Sequence, residues 1–203
     1  MKSFIIIGHK AVTAPFSLND LPGAAGRMDI LCRCINAALF LSHDLRRDVR
    51  VYLVLKGGSQ PKLILFDGSE VRYLSPDERS AASLIKKALE KNAKEFWTES
   101  TPGVSIRKGD LADLLAELNK TPYLNTGTGK KIIYLREDGM DIRGKKFEEP
   151  VFVLGDHEGL TEDEEKIIME HENEIVSVGP LSLHADHCIV LLHNEMDRAE
   201  KRI

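Results

Sequence analysis

The chain opens its apolar pattern with SFIIIG, Ser3 to Gly8, an unbroken run containing β-branched residues. Such a run predicts a strand covered on both faces. Residues 14–26 (APFSLNDLPGAAG) hold two prolines among glycine, asparagine and aspartate, which predicts a loop. From about Arg27 to Ser42 the apolar positions Met28, Leu31, Ile35, Ala38 and Leu39 recur at helical spacing. VRVYLVLKGG is a second buried strand ended by glycines, and KLILFDGSEVRYL reads as a hairpin turning at Asp67-Gly68.

Ser75-Pro76-Asp77-Glu78 predicts a helix start with Ser75 as N-cap, and Ala81, Leu84, Ile85, Ala88 and Leu89 carry that helix to about Lys94. A short helix, Leu111 to Asn119, is followed by the glycine-rich LNTGTG and the strand KIIYLRE. The strand VFVLGD comes next, then a capping box at Thr161 to Glu164 that opens a helix to about His171. The strand EIVSVG and a last helix from Leu183 to about Lys201 complete the chain. Strands alternating with helices predict an α/β protein whose sheet is mostly parallel and flanked by helices. No stretch reads as a linker, so one domain is expected, with residues 62–94 as the place where an insertion would sit.

Length and composition narrow the class. The 203 residues, 42% hydrophobic and 30% charged, suit a globular protein with a substantial core. No apolar run reaches the eighteen or so residues of a membrane span, and the first apolar run is too short for a signal peptide. Three cysteines give no disulfide framework, so a reducing cytoplasm is the expected setting. The net charge of -4 conceals an uneven spread: residues 156–174 contain nine acidic side chains and one lysine. The remainder is therefore basic overall, with clusters at Arg46, Arg47 and Arg50, at Lys86 and Lys87, at Arg107 and Lys108, at Lys130 and Lys131, and at Arg143, Lys145 and Lys146. Each alone reads as solvated surface; together they permit contact with an RNA backbone.

Several familiar chemistries are excluded. LNTGTGKKI has Leu124 in place of the first glycine of a phosphate loop and Lys131 in place of its Ser or Thr, and it precedes a strand. No G-x-G-x-x-G follows a strand, and there is no G-x-S-x-G elbow. Cys32 and Cys34 lie two apart in a helix, which suits core filling.

The most informative stretch is VGPLSLHADHCIVLLHNEMD, residues 178–197. His184, His187 and Cys188 have the spacing i, i+3, i+4 and could share a helical face, but a structural zinc site needs a fourth ligand. His193 is almost two turns further on, so no metal is expected. More telling is the turn before the histidines. EIVSVG ends in Gly179-Pro180, crosses Leu181-Ser182-Leu183 and starts a helix at once, leaving backbone N–H and C=O groups free to meet a ligand. VFVLGDHEG ends on Gly155, which permits close backbone approach, and KIIYL ends on Leu135. Three such strand ends can converge on one pocket at the carboxyl edge of a parallel sheet.

LGDHEGL and VGPLSLHADHCIVLLHNEMD, together with FIIIGHKA and GRMDILCRCINAALFLSHDLR nearer the start, resemble the SPOUT class of methyltransferases. Within it the chain is similar to the archaeal family that methylates N1 of a pseudouridine in the T-loop of transfer RNA, at position 54. The resemblance covers essentially the whole length. It implies a SPOUT fold with a carboxyl-terminal trefoil knot, roughly residues 130–203, and S-adenosylmethionine bound at a homodimer interface. It places Leu135, Gly155, Gly179, Pro180, Leu181, Ser182 and Leu183 around the adenosine, with Cys188 beneath on the last helix. The histidines then stand beside the site rather than on a metal. For chemistry, Asp29 is the first candidate to accept the N1 proton and Arg27 to hold a phosphate or the base carbonyl; Asp156 and His157 are the reserve. Two readings stay open: a related SPOUT family acting on ribosomal RNA, where a more basic chain is expected, and a non-catalytic RNA-binding module.

Overall fold

The computed structural model describes residues 1–120 and 131–200; the glycine-rich stretch 124–129, Lys130 and Lys201, the expected end of the last helix, lie outside them. Eight strands form one sheet: β1 Lys2–Gly8, β2 Val49–Leu55, β3 Lys62–Asp67, β4 Thr98–Thr101, β5 Val104–Lys108, β6 Ile132–Asp141, β7 Val151–Gly155 and β8 Asn173–Ser177. Five helices accompany them: α1 Met28–Leu39, α2 Glu78–Leu89, α3 Leu111–Lys120, α4 Glu162–Met169 and α5 Ala185–Glu200. The strand order is β4-β5-β3-β2-β1-β7-β6-β8. From β2 to β8 every pairing is parallel, while β3, β5 and β4 extend the sheet by antiparallel pairing.

Strand β1 is buried along its whole length, as its unbroken apolar run predicts. Its alternate residues serve two cores. Phe4 and Ile6 face α1, α2 and α5, whereas Ile5 and Ile7 face α3 and α4. Phe4 stacks on Phe152 of β7 with centroids 5.2 Å apart, and Phe147 meets Phe152 edge-on at 5.5 Å. Helix α5 is fixed across this face by Arg46, which grips Asp197 at 2.6 and 2.9 Å. His193 is buried against Phe4, with its Nε2 3.0 Å from the Ala38 carbonyl. Burial first, then the charge of Arg46, lowers its pKa to about 4, so it is a neutral core residue.

The expected hairpin at Asp67-Gly68 does not form. Asp67 caps a local turn instead, its Oδ1 accepting from the Ser69 N–H at 2.9 Å while its carbonyl accepts from Val71 N–H at 2.8 Å. The edge that a returning strand would need is already taken, because β3 pairs with β2 on one side and β5 on the other. The hairpin lies earlier, between β2 and β3, across residues 56–61. The start of α2 is also two residues later than expected: Asp77, not Ser75, is the N-cap, accepting from the Ser80 N–H at 2.7 Å. A carboxylate there serves both capping and the helix dipole. The capping box at Thr161 and Glu164 forms as predicted.

Replacing Phe152 with alanine removes a fully buried ring from both aromatic contacts. Denaturant unfolding of Phe152→Ala should show a loss of about 3–5 kcal/mol.

Candidate active site

Because β1, β2, β7, β6 and β8 run parallel, their carboxyl ends reach one edge of the sheet. There the middle of β6, around Leu135, and the turns after β7 and β8 enclose a cavity of about 440 Å³, within the range of small-molecule sites. Strand β6 does not end at Leu135 as expected but runs on to Asp141, with its register to β8 broken between Leu135 and Met140. Leu135, Gly155, Gly179, Leu181, Ser182, Leu183 and Cys188 all line it, as the sequence predicts; Pro180 is exposed between two lining residues and is not part of the wall. Ile30, Tyr134, Glu137, Leu160, His184 and His187 complete much of the rest.

The walls are tied to one another by polar contacts. The Ser182 hydroxyl bonds Glu137 and holds its carboxyl below the ordinary range, joining β6 to the turn after β8. Ser177 Oγ accepts from the Gly179 N–H at 3.1 Å and donates to its carbonyl at 2.8 Å, which shapes the turn before Leu181. Tyr134 donates to Glu165 at 2.6 Å; burial and that carboxylate push the phenol pKa up, so it stays protonated. Two glycines have different reasons for being there. A Cβ on Gly155 would lie 2.2 Å from the Gly159 carbonyl, so the turn closes only around glycine. A Cβ on Gly179 would meet no protein atom within 4 Å, so this glycine leaves space that a ligand can fill.

Beside the cavity, Gly26 and Arg27 both adopt left-handed backbone, with φ of 66° and 63°. For arginine this conformation is strained by about 1 kcal/mol or more. It folds the guanidinium back onto Asp29, with Nε and Nη2 at 3.0 and 3.1 Å from the two carboxylate oxygens. Arg33 adds a third bond to Asp29 at 3.0 Å. Burial would push the Asp29 carboxyl up, but the two guanidiniums outweigh it and hold the group below its usual value. Neither Arg27 nor Asp29 lines the cavity; Ile30, next along α1, does.

A family model described as "Putative SAM-dependent RNA methyltransferase" matches residues 1–201. The chain belongs to this family of RNA methyltransferases. A curated relative named tRNA (pseudouridine(54)-N(1))-methyltransferase, from Methanococcoides burtonii, is 59% identical over 98% of this chain and 96% of its own. A relative of the same name from Methanosarcina acetivorans is 57% identical over 98% of this chain and 92% of its own. Among solved structures, Archaeoglobus fulgidus Nep1 bound to S-adenosylhomocysteine matches with a TM-score of 0.64 and 16% identity, covering 98% of both chains. That likeness is one of fold.

In this family member the sequence reading missed a buried polar cluster at the cavity wall. His9, just past the end of β1, gives its N–H to Asp156 at 2.8 Å and sets Nδ1 3.0 Å from the same carboxylate. Its Nε2 lies 3.0 Å from Glu164, which also binds Lys56 and the Thr161 N–H. Asp156 lines the cavity, so the cluster anchors that wall to the centre of the sheet. The available signal was a histidine directly after the fully apolar run of β1. His157, one of the reserve residues, lies 3.7 Å from Asp156 and also lines the cavity. His184 and His187 meet edge-on at 5.6 Å, with His184 preceding α5 and its carbonyl accepting from Cys188 N–H at 3.0 Å. Among the described residues the group close enough to share a cation is His9, Asp156 and Glu158, not the carboxyl-terminal trio.

Burial opposes protonation of His9, but bonds to Glu164 and Asp156 win and raise its pKa above 6.5. Burial raises and Lys56 lowers the Glu164 carboxyl, which settles at about 2. A raised histidine pKa stabilises below the unfolded value and loses that stability as pH rises through the folded one. A lowered glutamate pKa stabilises above its unfolded value of 4.5 and loses it as pH falls toward 2. The thermal midpoint of His9→Gln should therefore fall furthest below wild type between about pH 4.5 and 6.5, and the gap should narrow at alkaline pH. A constant gap across pH 4 to 9 would mean that His9 contributes no charge-dependent stability.

Proposed function

We propose that this protein transfers the methyl group of S-adenosylmethionine to N1 of pseudouridine 54 in transfer RNA, acting as a homodimer. The observation that carries the reading is the convergence of β6 and the turns after β7 and β8 on one cavity in a chain 59% identical to an enzyme of that name. One eight-stranded sheet carries the whole arrangement, which supports a single domain.

The cavity fits an adenosine-bearing sulfonium. Leu135, Leu160, Leu181 and Leu183 supply apolar cover for a purine, the turn around Gly179 offers backbone groups to its edge, and the missing Cβ there leaves room. The bound cofactor supplies a methyl group on a positively charged sulfur, displaced in line by the attacking nitrogen. The protein's task is to hold N1 at near-attack distance and keep water away. As N1 gives up its electron pair its proton becomes strongly acidic, so a weak base suffices. Asp29, ionised and clamped by Arg27 and Arg33, fits that modest demand, and it also fixes Arg27 for a phosphate or the base carbonyl.

The knot belongs to the same proposal. After Leu135 the chain leaves regular pairing and returns beside β8 at Met140 and Asp141. Ile142 N–H donates to the Ser177 carbonyl at 3.1 Å, and Gly139 packs on the backbone of Val176. Helix α5 then lies over β1, where His193 meets Phe4 with ring centroids 5.0 Å apart; passage of the chain after β8 through residues 136–150 is part of the proposal. For the dimer, Leu181 and Val190 are 72% and 54% exposed beside the cavity mouth, and a second copy of this chain would cover them.

Isothermal calorimetry should show S-adenosylmethionine binding to wild type and weakening by about tenfold or more in Gly179→Val, since a branched side chain fills the open space. Wild-type protein that takes up no cofactor would remove the enzymatic reading. Asp29→Ala should leave cofactor affinity within about twofold while slowing methylation of a pseudouridine-54 transfer RNA by about 10–100-fold, the low end for a proton acceptor held below its usual pKa. Unchanged turnover would take Asp29 out of the reaction. Light scattering should report a dimer that Val190→Glu converts to monomer; a dimer that survives the charge would place the contact elsewhere.

A further inference from the structure

A row of lysines leads from the far side of the sheet to the cavity. In the ladder, Lys108 of β5 pairs directly with Lys62 of β3, Lys62 with Leu55 of β2, and Leu55 with Gly8 of β1. Beside it, Ile7 of β1 pairs with Gly155 of β7 at the cavity wall. Lys56 follows Leu55 and Lys10 follows Gly8 by two residues. Four neighbouring strands therefore each bring a lysine to the carboxyl edge, with strands about 4.8 Å apart.

The loop that joins these positions carries no acidic residue: it reads Gly57-Gly58-Ser59-Gln60-Pro61. It is pressed flat against the chain after β1. Gly57 N–H donates to the Ala11 carbonyl at 2.8 Å, and Cβ atoms at Gly57 and Gly58 would strike Lys10 and Thr13. Lys10 and Lys56 are held by Glu158 and Glu164. Lys62 has no ion pair among the described residues, although it stands opposite Lys108, whose partner Glu95 is 81% exposed at 3.4 Å. Like charges opposed across a ladder are unfavourable, so the sheet alone gives no reason for the pair. Lys108 N–H also donates to the Lys94 carbonyl at 2.8 Å, bringing a third lysine to the place. The Lys94 ammonium lies 5.2 Å above the ring of Phe96, which is 62% exposed.

We propose that this edge is the track on which the RNA substrate lies as it enters the cavity, with Lys62, Lys94 and Lys108 holding its phosphates and Phe96 offering a face to an unpaired base. The proposal rests on the reading of the protein as an RNA methyltransferase and adds where the RNA runs. The occupant is a polyanion because five lysines, Lys10, Lys56, Lys62, Lys94 and Lys108, meet three paired glutamates here, leaving Lys62 and Lys94 without an ion pair among the described residues. Contacts of this kind position a nucleic acid without reading its sequence.

Fluorescence anisotropy with labelled transfer RNA, run from 50 to 300 mM KCl, tests it on Lys62→Gln and on the double variant Lys62→Gln, Lys94→Gln. The single change should weaken binding roughly threefold to tenfold and lower the salt slope by about 0.7–0.9, and the double change by about twice that slope. The Michaelis constant for RNA should rise while turnover at saturating RNA and the calorimetric affinity for S-adenosylmethionine stay at wild-type values. The thermal midpoint should not fall, because an unfavourable pair has been relieved. Wild-type affinity and salt slope in both variants would overturn the track while leaving the methyltransferase reading intact. A lowered midpoint with unchanged RNA affinity would make Lys62 structural and overturn it as well. Wild type that binds neither RNA nor cofactor would instead defeat the functional reading, and the track with it.

Discussion

The parallel register of β1 between β2 and β7 is the constraint on which the molecule depends. Buried on both faces, β1 is free of polar side chains from Phe4 to Gly8, and the first polar side chain after that run must find partners at once. That residue is His9. Its three contacts to Asp156 and Glu164 join the ends of β1 and β7 to the first turn of α4. Glu164 is shared with the capping box, so the helix start and the cavity wall are held by the same carboxylate. Half-satisfied buried networks are costly and fully satisfied ones rigid, and this one sits where rigidity is useful, behind Asp156 at the cavity.

What the sequence displays most clearly is whatever depends on local pattern. The runs of β1, β2 and β7, the stripe of α1 and the box at Thr161 are all local, and they form where expected. The turn at Gly155 was legible for a related reason: a glycine at a strand end has few purposes other than close approach, whereas Gly179 leaves open space. The family resemblance carried the rest of the cavity lining.

The misreadings share a cause in pairing across distance. Asp67-Gly68 has the composition of a hairpin turn, but whether a strand returns depends on which edge is free, and β5 had already taken it. β5 and β4 went unpredicted because TEST and VSIRK are short and half polar, as suits strands at the open margin of a sheet. Asp29 was identified as the residue to watch, but its two arginine partners change the character of the group. Arg27 reaches it through left-handed backbone that no periodicity reports, and Arg33 comes from one turn further along α1.

Charge shows how far a bulk figure can mislead about a partner. The net -4 is set by residues 156–174, and much of that acid is already committed: Glu164 to His9 and Lys56, Glu165 to Tyr134, Glu174 to Lys131 and Lys145. Acid spent in this way tightens the cavity walls. Glu164 and Glu174 are neutralised by lysines within bond distance and project little field toward solvent, whereas the Tyr134 hydroxyl bonds Glu165 without cancelling charge. At the carboxyl edge of β5 and β3, Lys108 pairs with the exposed Glu95 at 3.4 Å, while Lys62 has no ion pair among the described residues. On the proposed track a polyanion would approach along Lys62, Lys94 and Lys108 and away from the acidic residues 156–174, so the arrangement of charges, not their sum, decides which side of the molecule suits an RNA.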